Sequence, residues 1–162
     1  GDDKGYIAGD GTVQQIAAPD RKTLIEVTGT TLEGQDWSSK EALGKVLVIN
    51  VWGSWCGPCI AELPDLEESY EATVEQGEPV VFMGVNRRDG VATALAFQEN
   101  RNVPYPSLVD DGGQTQLDLQ GLANATPTTL VLDQQGLVAG RVSGQIEASV
   151  LTAMVMDVAA ES

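Results

Sequence analysis

The chain of 162 residues is long enough for one domain with a hydrophobic core of its own. Apolar residues make up 42% and charged residues 20% of the chain, which is typical of a globular protein rather than a disordered one. The 9 basic and 24 acidic side chains give a net charge of −15, which argues against nucleic acid and anionic membrane surfaces as partners. The sequence contains no histidine, which excludes Ser-His-Asp and Cys-His catalysis and leaves its two cysteines as the main candidates for chemistry.

The N-terminal segment differs in composition from the rest of the chain. Residues 1–18 combine glycines and aspartates with scattered apolar residues, which predicts a tether or loosely packed arm ahead of a domain over residues 19–162. No stretch approaches the roughly 20 apolar residues of a membrane helix. Because the chain begins with Gly1 and not with methionine, we expect a trimmed or processed product, and any signal peptide or anchor would have preceded Gly1.

The strands of the domain are predicted from apolar runs and turn residues. Residues 24–27 and 30–32 predict a short β-hairpin around a glycine. Three apolar runs rich in β-branched residues, at 46–52, 80–85 and 128–132, predict strands that are covered on both faces.

Helices are predicted between and after these strands. A capping pattern at residues 38–41 predicts a short helix before the first apolar run. Apolar residues at helical spacing predict longer helices over about 57–76, 91–100 and 146–160, and a turn at 133–136 predicts a hairpin into a further strand. Strands that alternate with helices in this order predict an α/β sandwich with a mixed sheet.

Two cysteines lie where the first buried strand ends and the first long helix begins. Cys56 and Cys59 flank Gly57 and Pro58, and Pro58 suits the first turn of a helix. Free N–H groups at a helix N-terminus stabilise a thiolate, so the position favours a redox pair with Cys56 as nucleophile and Cys59 as the resolving thiol. The alternative is a structural disulfide, although closing so short a loop stabilises a fold by only about 2 kcal/mol in the loop-entropy model. A metal site would be incomplete with two thiolates.

The sequence around this pair resembles the thioredoxin fold and, within it, the ResA/TlpA/DsbE family of extracytoplasmic thioredoxin-like proteins. The resemblance rests on the motif Trp-Cys-Gly-Pro-Cys at residues 55–59, on Glu62 and Pro64 after it, and on Thr-Pro-Thr at residues 126–128. It covers residues 19–160. It implies a three-layer α/β/α fold with a mixed central sheet, an N-terminal β-hairpin and a βα insertion at about residues 91–122.

The resemblance also implies roles for single residues. Pro127 resembles the cis-proline beside the redox pair, and Thr126 would offer its backbone to a bound client. Glu62 would lie near the cysteines, and Trp55 would edge the site. Asn50 stands where thioredoxin itself has a buried aspartate, which makes thioredoxin the poorer match. The alternatives are a trans proline that starts a strand and a solvated glutamate on the helix surface.

These features predict an extracytoplasmic thiol–disulfide oxidoreductase that needs no metal or other cofactor. The resemblance implies reduction of client disulfides during cytochrome c maturation, with apocytochrome c as an example client and a membrane thiol–disulfide electron carrier as the second partner. We also expect anchoring by an upstream segment.

Two other functions remain as alternatives. One is oxidation of secreted proteins in the manner of DsbE-like members, because direction depends on the redox potential and not on the motif. The other is a non-catalytic thioredoxin-fold binding module with an inert disulfide. A peroxidase is disfavoured because two cysteines this close lack the distant resolving arrangement and its supporting arginine.

Overall fold

The structure is a computed structural model, and it describes residues 5–8 and 13–161. Within these residues, a mixed sheet of seven strands forms the centre and a two-stranded hairpin lies apart from it. The strands are β1 Gly5–Ala8, β2 Val13–Ile16, β3 Thr28–Thr30, β4 Asp36–Ser38, β5 Val46–Trp52, β6 Val80–Asn86, β7 Ser107–Val109, β8 Thr128–Leu132 and β9 Val138–Ser143. The α-helices are α1 Gly57–Thr73, α2 Val91–Asn100, α3 Gln114–Asp118 and α4 Ala148–Ala159.

The central strand of the sheet is β5, and the strands lie in the order β1-β2-β9-β8-β5-β6-β7. β5 pairs parallel with β6 and antiparallel with β8, so the sheet is mixed, as predicted. A parallel pair needs a crossover connection, which α1 supplies between β5 and β6. Every residue of β5 is buried, because both faces of the sheet are covered.

Alternate residues of β5 point to opposite faces of the sheet and belong to two cores. Val48 packs in one cluster with Leu66 of α1 and Leu151 of α4. Ile49 packs on the opposite face in a second cluster that contains Leu119, the residue after α3. The two cores give the predicted three layers of the thioredoxin fold.

Most helices begin and end close to their predicted bounds. α2 spans the predicted residues, and α1 is followed by a 3₁₀ turn, Val74–Gln76, that completes the predicted helix. The short helix before β5 is also 3₁₀, Ser39–Ala42, and its N-terminus carries the predicted capping box of Ser38 and Glu41. None of the helices in the described part of the chain is long and apolar enough to cross a membrane.

The N-terminal hairpin of the domain lies further along the chain than predicted. The prediction placed its strands at residues 24–27 and 30–32, whereas β3 and β4 pair across a turn that contains Gly34. Gly34 has a φ of 90°, a conformation that favours glycine. The earlier prediction was wrong because Ile25 and Val27, which look like hairpin residues, are buried as an extended segment in the core.

The predicted arm is partly built into the sheet. β2 pairs antiparallel with β9, and β1 pairs antiparallel with β2, so the expectation of a loosely packed arm is wrong for these eight residues. The physical reason is that β9, whose other edge pairs with β8, presents a free edge, which β2 covers. The remaining arm residues, 1–4 and 9–12, lie outside the described residues.

The predicted βα insertion is present between β6 and β8. It consists of α2, β7 and α3, and β7 extends the sheet by pairing parallel with β6. No pattern in the sequence predicts β7, because a strand of three residues behind Pro104 and Pro106 is too short to show periodicity.

Candidate redox site

The two cysteines form a disulfide at the junction of β5 and α1. Cys56 is the N-cap of α1, and its Cα lies 5.3 Å from the Cα of Cys59. The backbone N–H of Cys59 donates a hydrogen bond to the sulfur of Cys56 at 3.3 Å. This N–H is one of the helix-end donors that would stabilise a thiolate on Cys56 in the reduced protein.

In the oxidised pair both sulfurs are covered. Cys56 is 4% exposed and Cys59 is 3% exposed. Exposure in the disulfide form therefore does not distinguish the nucleophile from the resolving cysteine. The residues around the pair form an open rim, since Gly57 and Pro58 are exposed and Trp55 is 50% exposed. The resemblance implies that Trp55 edges the site, and its indole lies in this rim.

The loop before β8 lies against the disulfide. The Thr126–Pro127 peptide bond is cis, as predicted. The sulfur of Cys56 lies 3.7 Å from the carbonyl oxygen of Thr126. This contact brings together two parts of the chain that lie 70 residues apart and confirms the predicted neighbourhood of Pro127 and the cysteines.

Glu62 is completely buried one turn after Cys59, so the alternative of a solvated surface glutamate is wrong. Its Oε2 accepts a hydrogen bond from the side-chain amide of Asn50 at 2.8 Å, and its Oε1 accepts one from the N–H of Ile146 at 3.0 Å. Asn50 also donates to the hydroxyl of Thr129 at 3.1 Å. The carboxyl is therefore fixed by β5, β8 and the segment before α4.

Burial makes this carboxyl a proton-exchanging group at neutral pH. Burial raises the pKa of Glu62 from 4.5 to about 7, while the hydrogen bonds from Asn50 and Ile146 oppose the rise. The carboxyl of Asp65 adds a smaller upward effect. A group with this pKa is close to half protonated at pH 7, which suits a general acid or base.

A second carboxylate holds the chain just before the cysteines. Asp89 accepts hydrogen bonds from the N–H of Ser54 at 2.8 Å, from its hydroxyl at 2.7 Å and from the side-chain amide of Asn86 at 2.8 Å. Burial raises the pKa of Asp89, but these hydrogen bonds outweigh burial and hold the pKa below its ordinary value. The loop after β6 is thereby tied to the residues that precede Cys56.

Arg87 completes the surroundings of the site, and no periodic pattern or motif in the sequence indicated it. Its side chain is almost fully buried, and its Nη1 donates to the hydroxyl of Thr126 at 3.0 Å and to the carbonyl oxygen of Asn124 at 3.3 Å. Its own carbonyl oxygen accepts the indole N–H of Trp55 at 2.9 Å. The one feature of the sequence that could have indicated Arg87 is its position, since it is a charged residue directly after the buried strand β6.

The comparisons with known proteins agree with this geometry. A model described as the AhpC/TSA family matches residues 17–141. The chain belongs to the AhpC/TSA family. Among curated relatives, the thiol-disulfide oxidoreductase ResA of Bacillus thuringiensis subsp. konkukian is 28% identical over 116 residues, which are 72% of this chain and 65% of the relative. The thiol:disulfide interchange protein DsbE of Pseudomonas aeruginosa is 36% identical over 108 residues, which are 66% of this chain and 56% of the relative.

A solved structure is similar to this chain over nearly its whole length. A secreted thiol-disulfide isomerase from Corynebacterium glutamicum is 27% identical, with a TM-score of 0.86 over 96% of this chain and 99% of that one. The chain thus spans less than two thirds of the two curated relatives and nearly all of the solved one. The predicted resemblance to ResA and DsbE is confirmed.

Proposed function

We propose that the chain is a thiol–disulfide oxidoreductase of the ResA/DsbE type that cycles Cys56 and Cys59 between a disulfide and a dithiol. The observation that carries the proposal is the position of the Cys56 sulfur, between the N–H of Cys59 at the start of α1 and the carbonyl of Thr126. The names of the relatives support it.

The reaction is a pair of thiol–disulfide exchanges. The thiolate of reduced Cys56 attacks one sulfur of a client disulfide, which forms a mixed disulfide and releases one client thiolate. Cys59 then loses its proton and attacks the sulfur of Cys56, which re-forms the Cys56–Cys59 disulfide and releases the second client thiolate. Two electrons pass to the client, and the released client thiolates take up protons from Glu62 and from solvent. A thiol–disulfide carrier then supplies two electrons that reduce the chain again.

Glu62 accepts the proton of Cys59 in this proposal. The carboxyl lies one helical turn beyond Cys59 and is held by Asn50 and Ile146. Its pKa of about 7 lets it take a proton during the second exchange and release it afterwards. Asn50 serves as the donor that orients it.

The client binds along the rim formed by Thr126, Pro127 and Trp55. The backbone of Thr126 lies beside the attacking sulfur and offers polar groups to an extended client segment. The exposed half of the Trp55 side chain offers apolar surface, while Gly57 and Pro58 leave the approach open.

We assign the activity to an extracytoplasmic compartment, where disulfides persist. The solved Corynebacterium relative is described as secreted, which supports this setting. Following the resemblance, the clients are disulfides reduced in cytochrome c maturation, apocytochrome c among them, and the electron donor is a membrane thiol–disulfide carrier. An upstream segment would anchor the domain.

One observation favours the opposite direction, oxidation of secreted proteins. The helix-end N–H of Cys59 faces the sulfur of Cys56, and stabilising a thiolate in this way makes the corresponding disulfide a stronger oxidant. The redox potential of the pair separates the two directions, since a reductase needs the lower potential.

Insulin reduction tests the proposed function. We expect the wild-type chain to accelerate precipitation of insulin by a small thiol reductant, and we expect Cys56→Ser to abolish the acceleration. Glu68→Gln, at an exposed glutamate further along α1, is a control that leaves the cysteines and their surroundings in place and should retain most activity. A wild-type chain that gives no acceleration would favour the non-catalytic binding module.

A further inference from the structure

Arg87 contacts both segments that surround Cys56, the Trp55 segment before it and the Thr126 loop beside it. Through its backbone carbonyl it holds the indole of Trp55, the residue before Cys56. Through its guanidinium it holds Thr126, whose carbonyl contacts the sulfur of Cys56. Because a single threonine lies between this guanidinium and the sulfur, Arg87 is placed to act on both the geometry and the electrostatics of the pair.

The charge of Arg87 is not neutralised by an ion pair within the described residues. Its guanidinium makes its hydrogen bonds to neutral acceptors, and the buried Nε has no hydrogen-bond partner in the part of the chain that the structure describes. Asp110 is the carboxylate that acts on it electrostatically, yet Asp110 accepts hydrogen bonds from Thr115 and Gln116 instead. Burial lowers the pKa of Arg87 from its ordinary value, although a guanidinium stays protonated at neutral pH.

The other charged groups near the pair have different roles. Asp89 is engaged by Ser54 and Asn86. Glu62 lies one helical turn beyond Cys59 in α1, and Asn50 and Ile146 hold its carboxyl. Arg88 is exposed, so solvent and salt screen its charge. Arg87 is therefore the buried cation on the Cys56 side of the site.

We propose that Arg87 is a positioning residue of the redox site that holds Thr126 against Cys56 and stabilises the Cys56 thiolate with its buried charge. The inference rests on the proposed function, since it concerns the same pair. By favouring the dithiol form, Arg87 makes the disulfide more oxidising, and it thereby sets part of the direction of electron flow.

The charge and the contact are separated by two substitutions of Arg87. Arg87→Gln removes the charge, whereas Arg87→Lys keeps the charge but loses the planar guanidinium. Titration of the Cys56 thiolate by ultraviolet absorbance, in a Cys59→Ser background, gives the pKa of that thiol in each variant, and the difference between the two variants reports the charge. At the separation that one threonine spans, we expect Arg87→Gln to raise the pKa of the Cys56 thiol by about 0.5 to 1.

The KM for a client and the equilibrium with glutathione distinguish the contact of Arg87 with Thr126 from its charge. We expect Arg87→Lys to leave the thiol pKa near that of the parent while raising KM for a disulfide client. With both cysteines present and above the thiol pKa, Arg87→Gln should shift the glutathione equilibrium about three- to tenfold toward the disulfide. Arg88→Gln removes an exposed charge from the next residue and should produce a smaller change in both quantities.

An unchanged Cys56 pKa in Arg87→Gln overturns the inference, even where client turnover falls, because slower turnover alone reports only the lost Thr126 contact. If Arg87→Gln does not fold, a raised thiol pKa in Arg87→Lys overturns it equally. If the wild-type chain does not reduce insulin, the proposed function is refuted instead. The thiol titrations do not depend on that result.

Discussion

Two hydrogen bonds and complete burial act on the Glu62 carboxyl in opposite directions. The N–H of Ile146 and the amide of Asn50 stabilise the carboxylate, but the loss of solvent has the larger effect and the pKa rises to about 7. The negative charge of this buried carboxyl is therefore gained and lost near neutral pH. Two measurable consequences follow at the scale of this residue.

The first consequence is a pH-dependent stability. Because the pKa of Glu62 is higher in the folded protein than its ordinary 4.5, the folded state keeps a proton that the unfolded chain loses. The free energy of unfolding therefore falls as pH rises from about 4.5 to about 7, by up to about 3 kcal/mol from this group. We expect urea unfolding of the oxidised protein at about pH 5 and about pH 8 to show a smaller fall in Glu62→Gln.

Glu68→Gln is the matched control for this measurement, since Glu68 is an exposed glutamate on the same helix. It should show the wild-type pH dependence. Equal falls in wild-type protein and Glu62→Gln would contradict the raised pKa of Glu62.

The second consequence concerns the thiol of Cys59. An ionised Glu62 opposes formation of a second negative charge nearby, so it should keep Cys59 protonated until the second exchange. We expect Glu62→Gln to lower the pKa of the Cys59 thiol in a Cys56→Ser background and to alter the pH dependence of client reduction. Superimposable thiolate titrations of the two proteins would remove Glu62 from the mechanism.

At the scale of elements, the apolar runs and the cysteine spacing were sufficient to predict the centre of the fold. β5 has every residue buried, so its composition alone indicates a central strand, and the helix that begins at Gly57 makes Cys56 its N-cap. These features depend on residues that are close together in the chain. The place of Pro127 beside the cysteines followed from the resemblance to a known family and not from a local pattern.

Contacts between distant segments could not be predicted in the same way. Helical spacing assigns Glu62 to α1 but does not say that its face meets the N–H of Ile146, 84 residues later. The role of Arg87 depends on Thr126, 39 residues later, and β2 is a strand only because β9 offers it an edge. Such positions are determined by tertiary packing rather than by propensity.

The loop after β6 offers a prediction at this scale. Asp89→Ala removes the acceptor of the Ser54 and Asn86 hydrogen bonds, so we expect the free energy of unfolding to fall by about 1–2 kcal/mol. Because the pKa of Asp89 is held low in the folded protein, its stabilising contribution is present at neutral pH and lost as pH falls below its ordinary pKa. Urea titrations at neutral and acidic pH measure both effects.

The control for this substitution is Asp111→Ala, at an exposed aspartate in the insertion. It should leave the stability nearly unchanged. An Asp89→Ala protein as stable as the wild type at neutral pH would show that Asp89 does not tie the loop to the cysteine motif.

At the scale of the whole molecule, one buried arginine connects three distant parts of the chain. Arg21 donates to the carbonyl oxygen of Ile16 at the end of β2, to the carboxylate of Asp133 in the β8–β9 turn at 3.0 Å, and to Glu161 after α4 at 2.7 Å. Arg21 therefore connects the edge strand β2, the β8–β9 hairpin and the end of α4.

Removing this connection should destabilise the fold without changing the chemistry. Arg21→Met leaves Asp133 without its cationic partner, and we expect the free energy of unfolding to fall by about 3 kcal/mol in urea titrations. Lys22→Met, at the exposed neighbouring residue, should change it little. Arg21→Met should retain its Cys56 thiol pKa, and an altered thiol pKa would indicate that the network reaches the redox site.

Trapping of a mixed disulfide tests whether Cys56 is the thiol that attacks the client. Reduced Cys59→Ser and reduced Cys56→Ser are each mixed with a disulfide-bonded client peptide, and the adducts are quantified by mass spectrometry. We expect a stable client adduct on Cys56 in the Cys59→Ser protein and little adduct on Cys59 in the Cys56→Ser protein. The reason is that the N-terminus of α1 stabilises the Cys56 thiolate. Preferential adduct formation on Cys59, or no adduct on Cys56, would contradict it.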